Sequence, residues 1–225
     1  MAASIQFIWH GLSCFSIEAK NGDAVANLVT DPFGAETGLK IPRNLSADVV
    51  TVSRDDLSHG NIEAVKAAGD KKLFIIKNPG EYEVGGLFVY GLNAPPAEKE
   101  TNEDGATVLY RFEVGDLSVA HLGGIGVGLA DAQRDMLEDI DVLLIPVGGE
   151  SVLSAKRAVE TVTQLSPRVV IPMHYALPGL KTKFDPVEKF LKEMGAGAPE
   201  RVAKWKAVKK DLPAEETKVI ILEQD

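Results

Sequence analysis

The sequence predicts an α+β chain built from two mixed β-sheets flanked by helices. Two observations carry this. The first half is rich in short apolar or alternating runs separated by Gly and Asn, which read as hairpin-linked strands. The second half alternates β-branched runs with a helical pattern, the β-α-β arrangement of parallel strands. Hairpins followed by crossovers call for two sheets with helices on their outer faces. That is an αββα sandwich, although periodicity alone does not single it out.

In chain order, Ser4 to Trp9, Cys14 to Ala19 and Ala24 to Thr30 read as strands, with Asn21-Gly22 as a hairpin turn. Asp48 to Val52 reads as a buried strand. Asn61 to Ala68 reads as a short helix closed by Gly69. Further strands are expected at Leu73 to Ile76, Gly86 to Leu92, Ala106 to Val114 and Leu117 to His121. Asn93 to Asp104, with Pro95-Pro96 and several acidic residues, reads as a loop or flap. Asp141 to Ile145 and Arg168 to Ile171 suit buried strands, with a helix from Ser151 to Leu165 between them. Asp185-Pro186-x-Glu188 opens another helix, with Asp185 placed to cap it, Pro186 in its first turn and Gly195 as its stop. Lys218 to Leu222 reads as an edge strand. No repeat, low-complexity tract or linker interrupts residues 1–225, so one domain is the simplest reading.

Composition narrows the function classes. Hydrophobic residues at 45% and charged residues at 25% are those of an ordinary globular protein with a sizeable core. The net charge of −9 supplies no long-range pull on phosphate, so no nucleic-acid partner is expected. A single cysteine, Cys14, sits in an apolar run and has no partner for a disulfide, which reads as a buried thiol and a reducing compartment. No apolar stretch approaches the ~20 residues that span a bilayer. The N-terminus carries no basic segment and apolar core of a signal peptide, so a cytoplasmic location is the expectation.

Chemistry must be sought among four histidines, His10, His59, His121 and His174. Three of them follow predicted strands, where ligands gather in open α/β sheets. Each alone is more often structural than ligating. The Gly-rich run from Gly123 to Gly128 lacks the Lys-Ser/Thr ending of a P-loop, and no G-x-S-x-G elbow occurs. Ser13, Ser53 or Ser58 in a Ser-His-Asp triad would have only chance support.

Several segments together resemble the metallo-β-lactamase superfamily, in particular its branch of L-ascorbate-6-phosphate lactonase and related zinc-dependent hydrolases. They are Trp9-His10-Gly11-Leu12-Ser13-Cys14-Phe15, Thr30-Asp31-Pro32-Phe33 and Asn78-Pro79-Gly80-Glu81-Tyr82-Glu83-Val84-Gly85-Gly86. His121-Leu122-Gly123-Gly124, Ile145-Pro146-Val147-Gly148-Gly149 and Ile171-Pro172-Met173-His174-Tyr175 complete the series. Their order and spacing are specific together and span most of the chain. The resemblance implies the αββα sandwich with a metal site at one edge. It also implies a tendency to oligomerise.

The family's metal motif, H-x-H-x-D-H, holds one or two Zn²⁺ that turn a bound water into hydroxide near neutral pH. Laid on it, this chain reads Arg54-Asp55-Asp56-Leu57-Ser58-His59, so only His59 matches. Gly124 stands where the family has a bridging Asp, and no His lies between His59 and His121. Of the ligands the resemblance implies, His59 and His174 remain. A stable Zn²⁺ site usually takes three or four protein ligands, and Arg54 adds a permanent positive charge beside any cation. Three readings stay open. One is a metal-free homologue that binds a small molecule or protein, with Arg54 paired to Asp55 or Asp56 as a plug. Another is a hydrolase of small lactones or phosphate esters with a rebuilt site of Asp56, His59 and His174 on one Zn²⁺ or Mn²⁺. The last is an assembly role, as a homo-oligomer or subunit. Asp31, Glu81 and His121 are expected to line and orient the site.

Overall fold

The structure, a computed structural model, describes residues 2–94 and 107–225. The expected loop from Asn93 to Asp104 falls largely outside them, as does Ala106. The first strands are β1 (Ser4–Gly11), β2 (Cys14–Asn21) and β3 (Ala24–Thr30). They form an antiparallel meander, and Gly22 supplies the positive φ of 60° that the β2–β3 turn requires. Next come β4 (Ser46–Ala47), β5 (Val49–Thr51), β6 (Lys66–Ala67) and β7 (Phe74–Ile76). The sequence pairs β5 and β7 parallel to β3, while β4 and β6 make a separate two-stranded ribbon. Four antiparallel strands follow: β8 (Gly80–Val84), β9 (Leu87–Asn93), β10 (Val108–Val114) and β11 (Leu117–His121). The remainder is α1 (Asp131–Met136), β12 (Val142–Pro146), α2 (Ala155–Leu165), β13 (Val169–Met173), α3 (Val187–Met194), β14 (Glu200–Val202), β15 (Trp205–Ala207) and β16 (Lys218–Leu222).

Two mixed sheets result, ordered β15-β1-β2-β3-β5-β7 and β14-β16-β13-β12-β11-β10-β9-β8. Their inner faces share one apolar cluster running from Ala3 to Leu222 and centred on Phe7, Phe15, Tyr110 and Phe112. The Tyr110 hydroxyl is satisfied inside that core by donating to Val52 O (2.8 Å) and Ile76 O (3.1 Å), which ties the second sheet to the first. α2 buries Ala155, Ala158, Val162 and Leu165, a three-to-four spacing that turns one stripe to β12. The outer face of the six-stranded sheet is covered differently from the helical layer expected. Two single 3-10 turns, Ala35–Thr37 and Ile62–Ala64, and the loops beside them cover it with Phe33, Leu39, Leu45 and Val65. Among the described residues no helix is long and apolar enough to cross a membrane.

Four local expectations are corrected. Asn61 to Ala68 is not a helix, because Lys66 N and Ala68 N donate to Leu45 O and Ala47 O and draw this segment into the β4–β6 ribbon. Tertiary pairing overrides its helical propensity. Lys218–Leu222 is not an edge strand but lies between β13 and β14. Its unbroken buried run, Val219 to Leu222, is the pattern of a strand covered on both faces. Asp185 does not cap α3. Its carboxylate accepts from Lys189 Nζ at 2.6 Å, Pro186 takes the cap position, and Gly195 ends the helix in the left-handed region as expected. The Ser151–Leu165 helix starts later, at Ala155, where Ser154 Oγ accepts from Arg157 N.

Candidate functional site at the carboxyl ends of the strands

The ends of β3, β5, β11 and β13 converge with the β1–β2 turn, and each delivers a polar side chain. Asp31 follows β3, with its backbone N donating to Thr51 O at 2.9 Å and its φ at 41°. Its buried carboxylate accepts from Ser53 N and Ser53 Oγ, both at 2.6 Å. Two hydrogen bonds to one residue fix the loop that leaves β5. His121 closes β11, fully buried, and its Nε2 donates to Ser13 O at 2.9 Å. Burial, outweighing the opposing charge of Asp31, pushes its pKa below the usual histidine value. Its Nδ1 has no hydrogen-bond partner among the described residues.

His59 and His174 come together as the motif comparison predicts. Their rings stack with centroids 5.3 Å apart, and Phe184 meets His174 edge-on at 4.9 Å. His174 follows β13 with φ at 54°, held there by its N–H donating to Leu12 O at 3.0 Å. A side chain forced into this left-handed region marks a position that the surrounding structure over-determines. Its Nδ1 lies 2.9 Å from Ser13 Oγ, which also donates to Gly123 O at 3.3 Å. Burial, then the neighbouring His59, hold the His174 pKa well below the usual histidine range.

Asp56 joins the cluster from the other side. Its Oδ1 accepts from His59 Nδ1 and from Ser58 N, both at 2.8 Å. Burial pushes this carboxyl up, but the His59 bond and charge, Ser58 N–H and Arg54 outweigh that and hold it at about 2. Arg54 leans over the same ground, its Nε 3.6 Å from Asp56 Oδ2 and one terminal nitrogen donating to Gly124 O at 3.3 Å. Asp55 turns away, exposed, to Lys77 at 3.1 Å. Glu81 is not brought into the cluster. It is exposed on β8, opposite Tyr90 in register. Ser58 contributes its backbone N–H.

Gly124 decides the shape of this edge. A Cβ there would stand 2.7 Å from His59 Nε2 and 2.9 Å from His59 Cε1. The His59 ring therefore lies against the bare backbone of Gly124, and its buried Nε2 has no hydrogen-bond partner among the described residues. Among the described residues, three or four protein ligands are not brought together around one point. Asp56 spends its carboxylate on the far nitrogen of His59, and no group of three or more His, Cys, Asp or Glu among the described residues is arranged to hold a metal. Phe184 carries no role in the sequence reading, and Ser53, which enters it only as a chance triad candidate, serves instead to hold the Asp31 carboxylate.

Two mixed sheets with polar side chains gathered at their strand ends define a sandwich with a candidate site at one edge. The beta-lactamase superfamily domain matches residues 6–174, and the chain belongs to that superfamily. Among solved structures, a candidate Zn-dependent hydrolase of the metallo-beta-lactamase superfamily from Thermotoga maritima superposes with a TM-score of 0.76 at 34% identity, covering 97% of this chain and 98% of that one. Among curated relatives, the UPF0173 metal-dependent hydrolase of Methanopyrus kandleri is 28% identical over 85% of this chain and 93% of its own length. A UPF0173 protein of Pyrococcus furiosus is 27% identical over 84% and 90%.

Proposed function

We propose that this chain uses the superfamily scaffold without a metal, as a binding or assembly protein whose former cation position is held by Arg54. One observation carries this reading: the Arg54 guanidinium donates to Gly124 O (3.3 Å) and stands 3.6 Å from Asp56, so a fixed positive charge lies beside the carboxylate that a rebuilt metal site would need. Like charges that close repel strongly at low effective dielectric. Asp56 is already paired on both sides, with His59 Nδ1 and with Arg54, and needs no ion to balance its charge. Elemental analysis of protein purified without added metal or chelator tests the proposal, and near-stoichiometric metal would overturn it.

A second reading is a metal-dependent hydrolase of lactones or phosphate esters, and one observation favours it. His59 Nε2 is a buried nitrogen with no hydrogen-bond partner among the described residues, the kind of atom that takes a metal. The names of the relatives point the same way. This reading needs Asp56 to leave His59 Nδ1, and it predicts hydrolysis abolished by chelator and by His174→Ala.

A further inference from the structure

Among the described residues, each sheet has a free edge on the same side of the sandwich. β7 ends the six-stranded sheet and β8 ends the eight-stranded one. The two edges face each other across a groove lined by Val25, Phe74 and Val84, where Phe74 and Tyr82 meet ring edge to face at 6.1 Å. The unpaired backbone of such strands is a ready template for another chain. Because Phe74 and Ile76 direct their backbone groups to β5, Ile75 is the β7 residue whose N–H and C=O point outward.

The apolar surface of the molecule concentrates here. Of the five large hydrophobic residues exposed among the described residues, Val25, Phe74 and Ile75 belong to β3 and β7 beside the groove. Phe88 lies one strand in from the β8 edge, and only Leu57 lies elsewhere. Charge is split across the same opening. Lys71 and Lys72 precede β7, and Glu81 and Glu83 lie on β8, all four exposed. None of them forms an ion pair among the described residues.

We infer that this edge is a self-association surface whose occupant is a second copy of the chain, related by a two-fold axis. Self-complementarity carries the choice. A two-fold contact presents the same patch twice, so the lysine lip of one copy meets the glutamate lip of the other, and the reverse contact forms at the same time. β7 of each copy then lies beside β8 of its partner, and Val25 and Phe74, which line the groove, are covered between them. A two-fold contact of β8 with β8 would instead set Glu81 against Glu83 and repel. This surface is independent of the metal question.

The test is the oligomeric state of the full chain by sedimentation equilibrium at micromolar concentration, with circular dichroism melting to confirm that each variant is folded. The expected result is a dimer. A double variant with Lys71→Glu and Lys72→Glu, and another with Glu81→Lys and Glu83→Lys, are each expected to be monomeric. Mixed in equal amounts they should form a heterodimer, because each then offers a uniform sign to the other. Ile75→Asp, which leaves all four charges in place, should also give a monomer. A monomeric wild-type chain overturns the inference. So does a dimer that survives these substitutions, or a pair of charge variants that fails to associate on mixing.

Discussion

Gly124→Ala is a small change with a large expected consequence. The added Cβ would lie 2.7 Å from His59 Nε2. The ring cannot give way cheaply, because Asp56 holds its Nδ1 at 2.8 Å and His174 stacks on its face. Overpacking of this kind costs about 2 kcal/mol at mid-range, and the stiffer unfolded chain returns about 0.7 kcal/mol, leaving a net loss of about 1.3 kcal/mol. In a chain of this size each kcal/mol moves Tm by about 2–4 °C, so thermal unfolding should fall by about 3–5 °C. His59→Ala removes the obstacle, and in that background Gly124→Ala should cost little. An unchanged or raised Tm in the single variant would refute the reasoning. So would an equal penalty in the His59→Ala background.

Other outcomes follow from the same geometry. Ser13→Ala removes the hydrogen-bond partner at His174 Nδ1 and should cost about 1–3 kcal/mol in denaturant unfolding, with a changed imidazole tautomer pattern in nitrogen NMR. Tyr110→Phe leaves Val52 O and Ile76 O without the hydroxyl that joins the sheets, and should destabilise by about 1–3 kcal/mol without altering the strand content seen by circular dichroism. Asp56 is lowered from 3.8 to about 2 by folding, so its stabilisation is complete above about pH 3.8 and disappears as pH falls toward 2. With 42% of its side chain exposed, solvent screens much of this, and the acid limb of the stability curve should be only modestly shallower in Asp56→Asn.

Much of the fold was legible because local and tertiary preferences agree. Asn21-Gly22 turns the β2–β3 hairpin, Gly195 stops α3, and the β-branched runs at Val142 and Val169 become fully buried parallel strands. The misreadings arise where partners distant in sequence decide. The 61–68 segment becomes a ribbon because β4 is there to pair with it, and Lys218–Leu222 is interior because β14, whose Glu-Arg-Val gives no apolar pattern, adds outside it. At the site, the pairing of His59 with His174 could be expected from the motifs. The side of the His59 ring that Asp56 takes could not, since it depends on the turn that brings Ser58 N to the same carboxylate. Nor could the closure of Gly124 against that ring, which is a matter of ångströms rather than residue type.

The central claim is that Arg54, not a metal ion, holds the positive charge at this edge. Metal content of protein purified without added metal or chelator, followed by calorimetric titration with Zn²⁺ and Mn²⁺, addresses it directly. The account predicts substoichiometric metal and no saturable binding tighter than millimolar, with the same result for His174→Ala. One tightly held ion per chain, lost in His174→Ala, would contradict it and place a working metal centre on Asp56, His59 and His174.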